Sequence, residues 1–226
     1  MEVPRQTSDT DALAQALMAE ERAREDGVTD NGLWRNTLQW TFGLLAVTVM
    51  AYFTYARNGW VPLLSGVDLG IHEFGHMILM WGPPVVVWMA GSVLQMLVPA
   101  GLAVYFAVRR DMLAVILMCA WAAESLNNVG VYVYDATRLR LDLLGDDGSK
   151  MGHDWANILT ELKLIPYTDQ IAYAVRALSF VLFALAAFYA IRGFVRPRLA
   201  AQRDEQLKAR KQTLPVHEPR NRPPAV

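Results

Sequence analysis

The chain has 226 residues, 54% of them hydrophobic, and a formal net charge of −1. Its single cysteine, Cys119, excludes an intramolecular disulfide and any metal site built from several thiolates. No aromatic residues interleave with the basic ones, which excludes a nucleic-acid-binding module, so no nucleic-acid partner is expected.

The charge is distributed unevenly along the chain. Residues 1–35 contain eight acidic and four basic residues, and residues 196–226 contain eight basic and three acidic ones. Both ends are predicted to be solvated polar tails, and the basic tail could also lie against anionic lipid headgroups. Between them, residues 36–195 are predicted to form a helical membrane domain with a polar connection at residues 135–169.

Apolar stretches recur within this domain at the length that a helix needs to cross a bilayer, about 20 residues. Aromatic residues flank the first stretch, and arginines flank the last one, as is typical of membrane interfaces. The pattern predicts an all-α polytopic membrane protein embedded in a lipid bilayer, with about five transmembrane helices. These helices are predicted at residues 38–55, 61–81, 85–108, 112–134 and 171–195.

The second stretch contains the sequence His72-Glu73-Phe74-Gly75-His76. On a helix the two histidines lie one turn apart, so both imidazoles project from the same face towards one metal ion. Glu73 follows the first histidine directly, where it can act as general base towards a metal-activated water. Ionisable residues inside a membrane segment are costly unless they are used. The motif therefore predicts a zinc hydrolase that works at or within the bilayer, with Glu73 as its catalytic residue.

A catalytic zinc site needs three protein ligands, so a third must come from elsewhere in the chain. His153 and Asp154 are adjacent just before the last predicted helix, and either side chain is a competent zinc ligand. Glu124, a carboxylate within the fourth predicted helix, is a second candidate. Asp147 is a third, although ordinary turn chemistry is the favoured interpretation of the glycine- and aspartate-rich stretch 145–148.

Other polar residues of the predicted helices suit such a site. Asn127 and Asn128 could stabilise an oxyanion or hold an extended substrate backbone, and interhelical hydrogen bonding is the alternative. Asp68, one turn before His72, could hydrogen-bond a ligand imidazole. Gln95, in the third predicted helix, is expected to hydrogen-bond across helices.

The histidine motif resembles the first motif of the site-2 protease class of intramembrane zinc metalloproteases. In that class an aspartate at the start of a later helix is the third zinc ligand, usually within a Leu-Asp-Gly sequence that is absent here. The nearest match is Gly152-His153-Asp154-Trp155, which is similar to the sequence before an apolar helix in small bacterial members. The resemblance implies Asp154 as the third ligand, with His153 as the alternative.

The same resemblance implies a function and a location. It indicates a metalloprotease with a Zn²⁺ cofactor that hydrolyses peptide bonds of membrane-protein or peptide substrates. It also indicates residence in the bacterial cytoplasmic membrane. The sequence predicts neither the identity of the substrate nor the oligomeric state.

Two other interpretations stay open. In another type of membrane zinc protease, Glu124 would be the third ligand. Alternatively, the chain is a catalytically silent metal-binding scaffold or transporter subunit, although a scaffold has no use for Glu73 as a general base. A di-iron oxygenase or desaturase is disfavoured because it needs many more histidines than the four in this chain.

Overall fold

A computed structural model describes Met18 and residues 35–57, 59–141 and 152–213, with side chains up to residue 207. Asp147 and most of the two polar tails lie outside the described residues. Contacts group Thr37–Arg192 into one compact unit. The other unit comprises Met1–Asn36 and Gly193–Val226, and its described part consists mainly of the helical residues 193–213.

The described parts of the chain form helices and turns, without a strand. The helices are α1 (Arg35–Ala56), α2 (Leu64–Leu79), α3 (Pro84–Val108), α4 (Met112–Asp135), α5 (Asp154–Glu161) and α6 (Thr168–Thr213). A short 3-10 helix, Ile165–Tyr167, precedes α6. Four helical stretches are long and apolar enough to cross a membrane, namely α1, α3, α4 and Ile165–Leu207. These stretches indicate an integral membrane protein, and the all-helical part of the prediction is confirmed.

The number of membrane-spanning helices is not confirmed, because the second predicted segment forms a shorter helix. The histidine motif lies in α2, which has 16 residues. At a rise of 1.5 Å per residue such a helix is about 24 Å long, less than the hydrocarbon thickness of about 30 Å. Accordingly, α2 is not among the four candidate spans of the described residues.

Local chemistry sets the helix ends near the site. Pro84 is the first residue of α3, a position where its missing N–H is not needed. The carboxylate of Asp111 caps α4 by accepting a hydrogen bond from the backbone N–H of Ala114 at 3.0 Å. His153 caps α5 in the same way, since its Nδ1 accepts the N–H of Ala156 at 3.3 Å. This cap makes Asp154 the first residue of α5.

The helices around the site bury polar residues and expose apolar ones. The residues that α2 buries are Ser65, Asp68, His72 and Gly75, whereas Phe74 and Met77 are exposed. Such an arrangement suits a bilayer, because large apolar side chains face lipid and polar groups face other helices. Two apolar clusters lie in the interior of the described residues. One contains Val47, Ile116, Ala120, Ala123, Phe183, Ala186 and Ala190, and the other contains Val129, Val133, Ala136, Ala156, Leu159 and Ala172.

Glycine permits α2 to lie directly against α3. A Cβ atom on Gly75 would lie 2.5 Å from the backbone oxygen of Ala90 and 2.9 Å from the Cα of Gly91. No side chain fits at that distance, so Gly75 lets the two backbones approach closely. The approach brings the histidines on either side of Gly75 up to α3.

Candidate metal centre

Three potential ligand atoms from two helices converge at one point. Nε2 of His72 lies 3.3 Å from Oδ2 of Asp154, and Nε2 of His76 lies 3.2 Å from the same oxygen. The three ligand atoms all lie within 4.8 Å of one another. The histidines come from α2 and the aspartate is the first residue of α5, so tertiary packing assembles the group.

The outer nitrogens of both imidazoles have acceptors. Nδ1 of His76 donates to the backbone carbonyl of Val87 at 2.8 Å, and Nδ1 of His72 donates to Oε1 of Gln95 at 3.2 Å. A carbonyl oxygen can only accept, so each neutral ring carries its proton on Nδ1 and presents a lone pair at Nε2. The predicted hydrogen bond of Gln95 across helices is confirmed.

The inward-facing atoms are therefore all acceptors. Two imidazole lone pairs point at a carboxylate oxygen of Asp154 at hydrogen-bonding distance. Acceptors that face one another repel unless a cation or a proton lies between them. The orientation of the rings thus suits a bound cation.

The backbone of α3 leaves space for such a cation. A Cβ atom on Gly91 would lie 2.6 Å from Nε2 of His72 and 2.6 Å from Nε2 of His76. Any side chain at this position would occupy the space in front of both ligand nitrogens. Glycine therefore keeps this face of the candidate centre open.

A cavity of about 670 Å³ contains the cluster. Its walls include Trp60, Leu69, Glu73, Asn128, Tyr132 and Leu141. Glu73 is an exposed residue that lines this cavity, on the same helix as both histidines. The cavity falls in the range of about 300–1,000 Å³ that holds small ligands. Its walls thus combine a potential metal site, a carboxylate and apolar surface.

His153, the alternative third ligand, faces a different partner. Its side chain is 1% exposed, and its Nε2 lies 3.4 Å from Oδ2 of Asp135. Burial lowers the pKa of His153, with Asp135 opposing the shift, so the neutral form that caps α5 is favoured. Of the adjacent pair, Asp154 is the member that joins His72 and His76.

Glu124 and Asp68 lie in a separate cluster of hydrogen bonds. Glu124 is fully buried, and its Oε1 accepts from Ser65 at 3.2 Å and from Asn128 at 2.6 Å. Oδ1 of Asp68 accepts from the indole N–H of Trp121 at 2.8 Å. The Nδ1 atoms of His72 and His76 have other partners, so Asp68 does not hydrogen-bond either imidazole as the sequence suggested.

The two asparagines have different environments. Asn128 lines the cavity and donates to Glu124. Asn127 is 1% exposed, and its Oδ1 accepts from Nε of Arg176 at 3.4 Å. Asn127 is not among the lining residues of the cavity. Of the two, Asn128 is the one placed to contact a bound molecule.

Tyr132 is a residue of the site that the sequence did not reveal. Its hydroxyl donates to Oδ2 of Asp154 at 3.2 Å. A signal existed in the spacing, because Glu124, Asn128 and Tyr132 recur every four residues and so share one face of α4. A search for polar atoms along that face would have found it.

Comparison with known proteins identifies no relative of this chain. No family model, no curated protein and no solved structure matches the chain.

Proposed function

We propose that this protein is a membrane-embedded zinc metalloprotease. The observation that supports it is the convergence of His72, His76 and Asp154 on one point, with both imidazole lone pairs turned inward. Donor atoms at about 2.0–2.2 Å from one tetrahedral zinc ion lie about 3.3–3.6 Å apart. The separations of 3.2 and 3.3 Å between the histidine nitrogens and Asp154 are close to that spacing.

Three protein ligands favour a catalytic over a structural role. Structural zinc sites have four protein ligands, whereas catalytic sites keep one position for water or substrate. The cluster lies in a cavity of about 670 Å³, which gives water and substrate access to a fourth position. A zinc ion held there would activate a water molecule and polarise a carbonyl group.

Glu73 is the proposed general base. It follows His72 on α2, lines the cavity and is exposed, so its carboxylate can receive the proton of the attacking water. The same carboxyl group then donates this proton to the nitrogen that leaves when the peptide bond breaks. A silent metal-binding scaffold needs no such residue, which is why hydrolysis is the preferred function.

A membrane-protein segment is the proposed substrate. The apolar outer face of α2, with Phe74 and Met77, is suited to contact with lipid or an apolar chain. A peptide in a helix hides its carbonyl carbon, so the substrate must unwind to an extended form near the site. The amide of Asn128 is placed at the cavity wall to hydrogen-bond such an extended backbone.

The decisive experiment compares Glu73→Gln with wild type and with Glu161→Gln. Glu161 is an exposed acid at the end of α5, so its variant controls for the loss of one negative charge. The purified proteins are reconstituted in liposomes with a solubilised membrane fraction as the pool of substrates. Bound zinc is measured by elemental analysis, and new N-termini are identified by chemical labelling and mass spectrometry.

We expect Glu73→Gln to retain zinc and to form new N-termini at least about 100-fold more slowly, the usual size of a general-base contribution. Glu161→Gln should match wild type, and a zinc chelator should abolish cleavage. Equal cleavage by wild type and Glu73→Gln would contradict the proposed mechanism. If wild type binds zinc but cleaves nothing, the remaining interpretation is a metal-binding scaffold without hydrolytic activity.

A further inference from the structure

Tyr132 makes two hydrogen bonds with one residue of the proposed metal site. Its hydroxyl donates to Oδ2 of Asp154 at 3.2 Å and accepts the backbone N–H of Asp154 at 3.0 Å. The side chain therefore holds Asp154 by its carboxylate and by its backbone. Oδ2 is also the oxygen that faces both histidines.

The ring of Tyr132 is itself held between two elements. It stacks on the imidazole of His153, with centroids 4.4 Å apart and planes 29° apart. It meets His72 edge-on, with centroids 5.8 Å apart. Since His153 caps α5 and His72 is on α2, the last turn of α4 contacts both sources of ligands.

Asp154 needs such a contact because of its place in the fold. It begins α5, a helix of only eight residues. Among the described residues, the hydrogen bonds and ion pairs of its carboxylate are those with Tyr132, His72 and His76. The two histidine nitrogens present lone pairs, so Tyr132 is the one partner of the three that offers a proton when the rings are neutral.

We propose that Tyr132 is a positioning residue that orients the carboxylate of Asp154 for metal binding and so sets the affinity and geometry of the site. The inference rests on the proposed function only through the metal site, and it does not depend on the identity of a substrate. Outer partners that orient a ligand change metal affinity by about 10–100-fold. Tyr132 acts through Asp154 and takes no direct part in the proposed hydrolysis.

The test compares Tyr132→Phe with Tyr134→Phe in the full-length protein in detergent. Tyr134 lies two residues further along α4, and its ring contacts Tyr173 and Arg138 rather than the cavity. Both variants lose one phenolic hydroxyl and keep the ring. Zinc affinity is measured by competition with a chromophoric chelator, and the geometry of the site by the visible spectrum of the Co²⁺-loaded protein.

We expect Tyr132→Phe to bind zinc about 10–100-fold more weakly and to have an altered cobalt spectrum, with Tyr134→Phe unchanged. A double-mutant cycle separates positioning from a general structural effect. In an Asp154→Asn background, Tyr132→Phe should cause a much smaller further loss, because the carboxylate that it orients is already absent.

Three results would overturn the inference. The first is unchanged zinc affinity and an unchanged cobalt spectrum in Tyr132→Phe. The second is an equal loss in both backgrounds of the cycle. The third is a Tyr132→Phe protein that fails to fold while Tyr134→Phe folds. This result would show that the Tyr132 hydroxyl is needed for folding rather than for positioning Asp154. Failure of the proposed function alone is distinguishable, since wild type would then bind zinc, and bind it more tightly than Tyr132→Phe, but cleave nothing. A wild type that binds no zinc would overturn both.

Discussion

Two polar clusters lie side by side along α2, and they differ in what surrounds their acceptors. The metal cluster consists of His72, His76 and Asp154. The acid cluster contains Asp68 and Glu124, which are 1% and 0% exposed. Each combines one or two side chains of α2 with an acid from another helix, and both would be costly in a membrane without compensation.

In the acid cluster, neighbouring donors point at the carboxylates. Trp121 and Ser125 donate to Oδ1 of Asp68, and Ser65 and Asn128 donate to Oε1 of Glu124. The other oxygens, Oδ2 and Oε2, have no donor among the described residues.

In the metal cluster, the imidazole donors point away. Both imidazole N–H groups are used outside the cluster, on the Val87 carbonyl and on Gln95, and the lone pairs remain inside. The comparison teaches that the number of buried acids does not identify a metal site. The direction of the neighbouring hydrogen-bond donors distinguishes the two clusters, because Oδ1 of Asp68 and Oε1 of Glu124 each accept from two donors, whereas the Nε2 atoms of both histidines face another acceptor.

The largest expected difference between the clusters is in metal binding by Asp154→Asn and Glu124→Gln. Each variant replaces one carboxylate by an amide of nearly the same shape. Asp154→Asn should weaken zinc binding by more than about 100-fold, beyond the usual loss from an outer partner. Glu124→Gln should leave it unchanged, and chelator competition measures both. Full zinc affinity in Asp154→Asn would show that Asp154 is not a zinc ligand. A loss of zinc affinity in Glu124→Gln would show that the two clusters are coupled.

A smaller effect is expected from closing the space that α3 leaves for the cation. Gly91→Ala places a methyl carbon 2.6 Å from both ligand nitrogens, so the rings must move. We expect zinc affinity to fall by about 10–100-fold, comparable with the loss of a ligand-orienting contact. Gly101→Ala is the matched control, because its added Cβ on the same helix meets no atom within 4 Å. Similar affinities in the two variants would show that the space at Gly91 is not used.

The smallest effect is expected in the acid cluster, and on stability alone. Trp121→Phe removes the donor at 2.8 Å from Asp68 and leaves a buried carboxylate oxygen less satisfied. We expect a loss of about 1–2 kcal/mol in the free energy of unfolding, with zinc binding unchanged. Thermal unfolding in detergent compares it with Trp81→Phe, whose indole is 89% exposed. A loss of zinc in Trp121→Phe would show that the acid cluster supports the metal site.

The helices on either side of the short Arg109–Asp111 junction could be predicted closely from the sequence. The predicted ranges 85–108 and 112–134 compare with Pro84–Val108 and Met112–Asp135. Here the local chemistry is decisive, since a proline begins one helix and an aspartate caps the next. The last helix is different. The sequence predicts residues 171–195, but α6 extends from Thr168 to Thr213 because polar residues with good helix propensity continue it beyond the apolar stretch.

The sequence by itself determined the all-helical class, the apolar helices and the placement of His72 and His76 one turn apart with Glu73 beside them. These features depend on composition and helical periodicity, which are local. Only the tertiary structure decided which third residue joins the histidines. His153 and Asp154 are neighbours in the chain, and the cap geometry of α5 turns one towards Asp135 and the other towards α2. Such a choice depends on how helices pack, and no pattern within a single helix contains it.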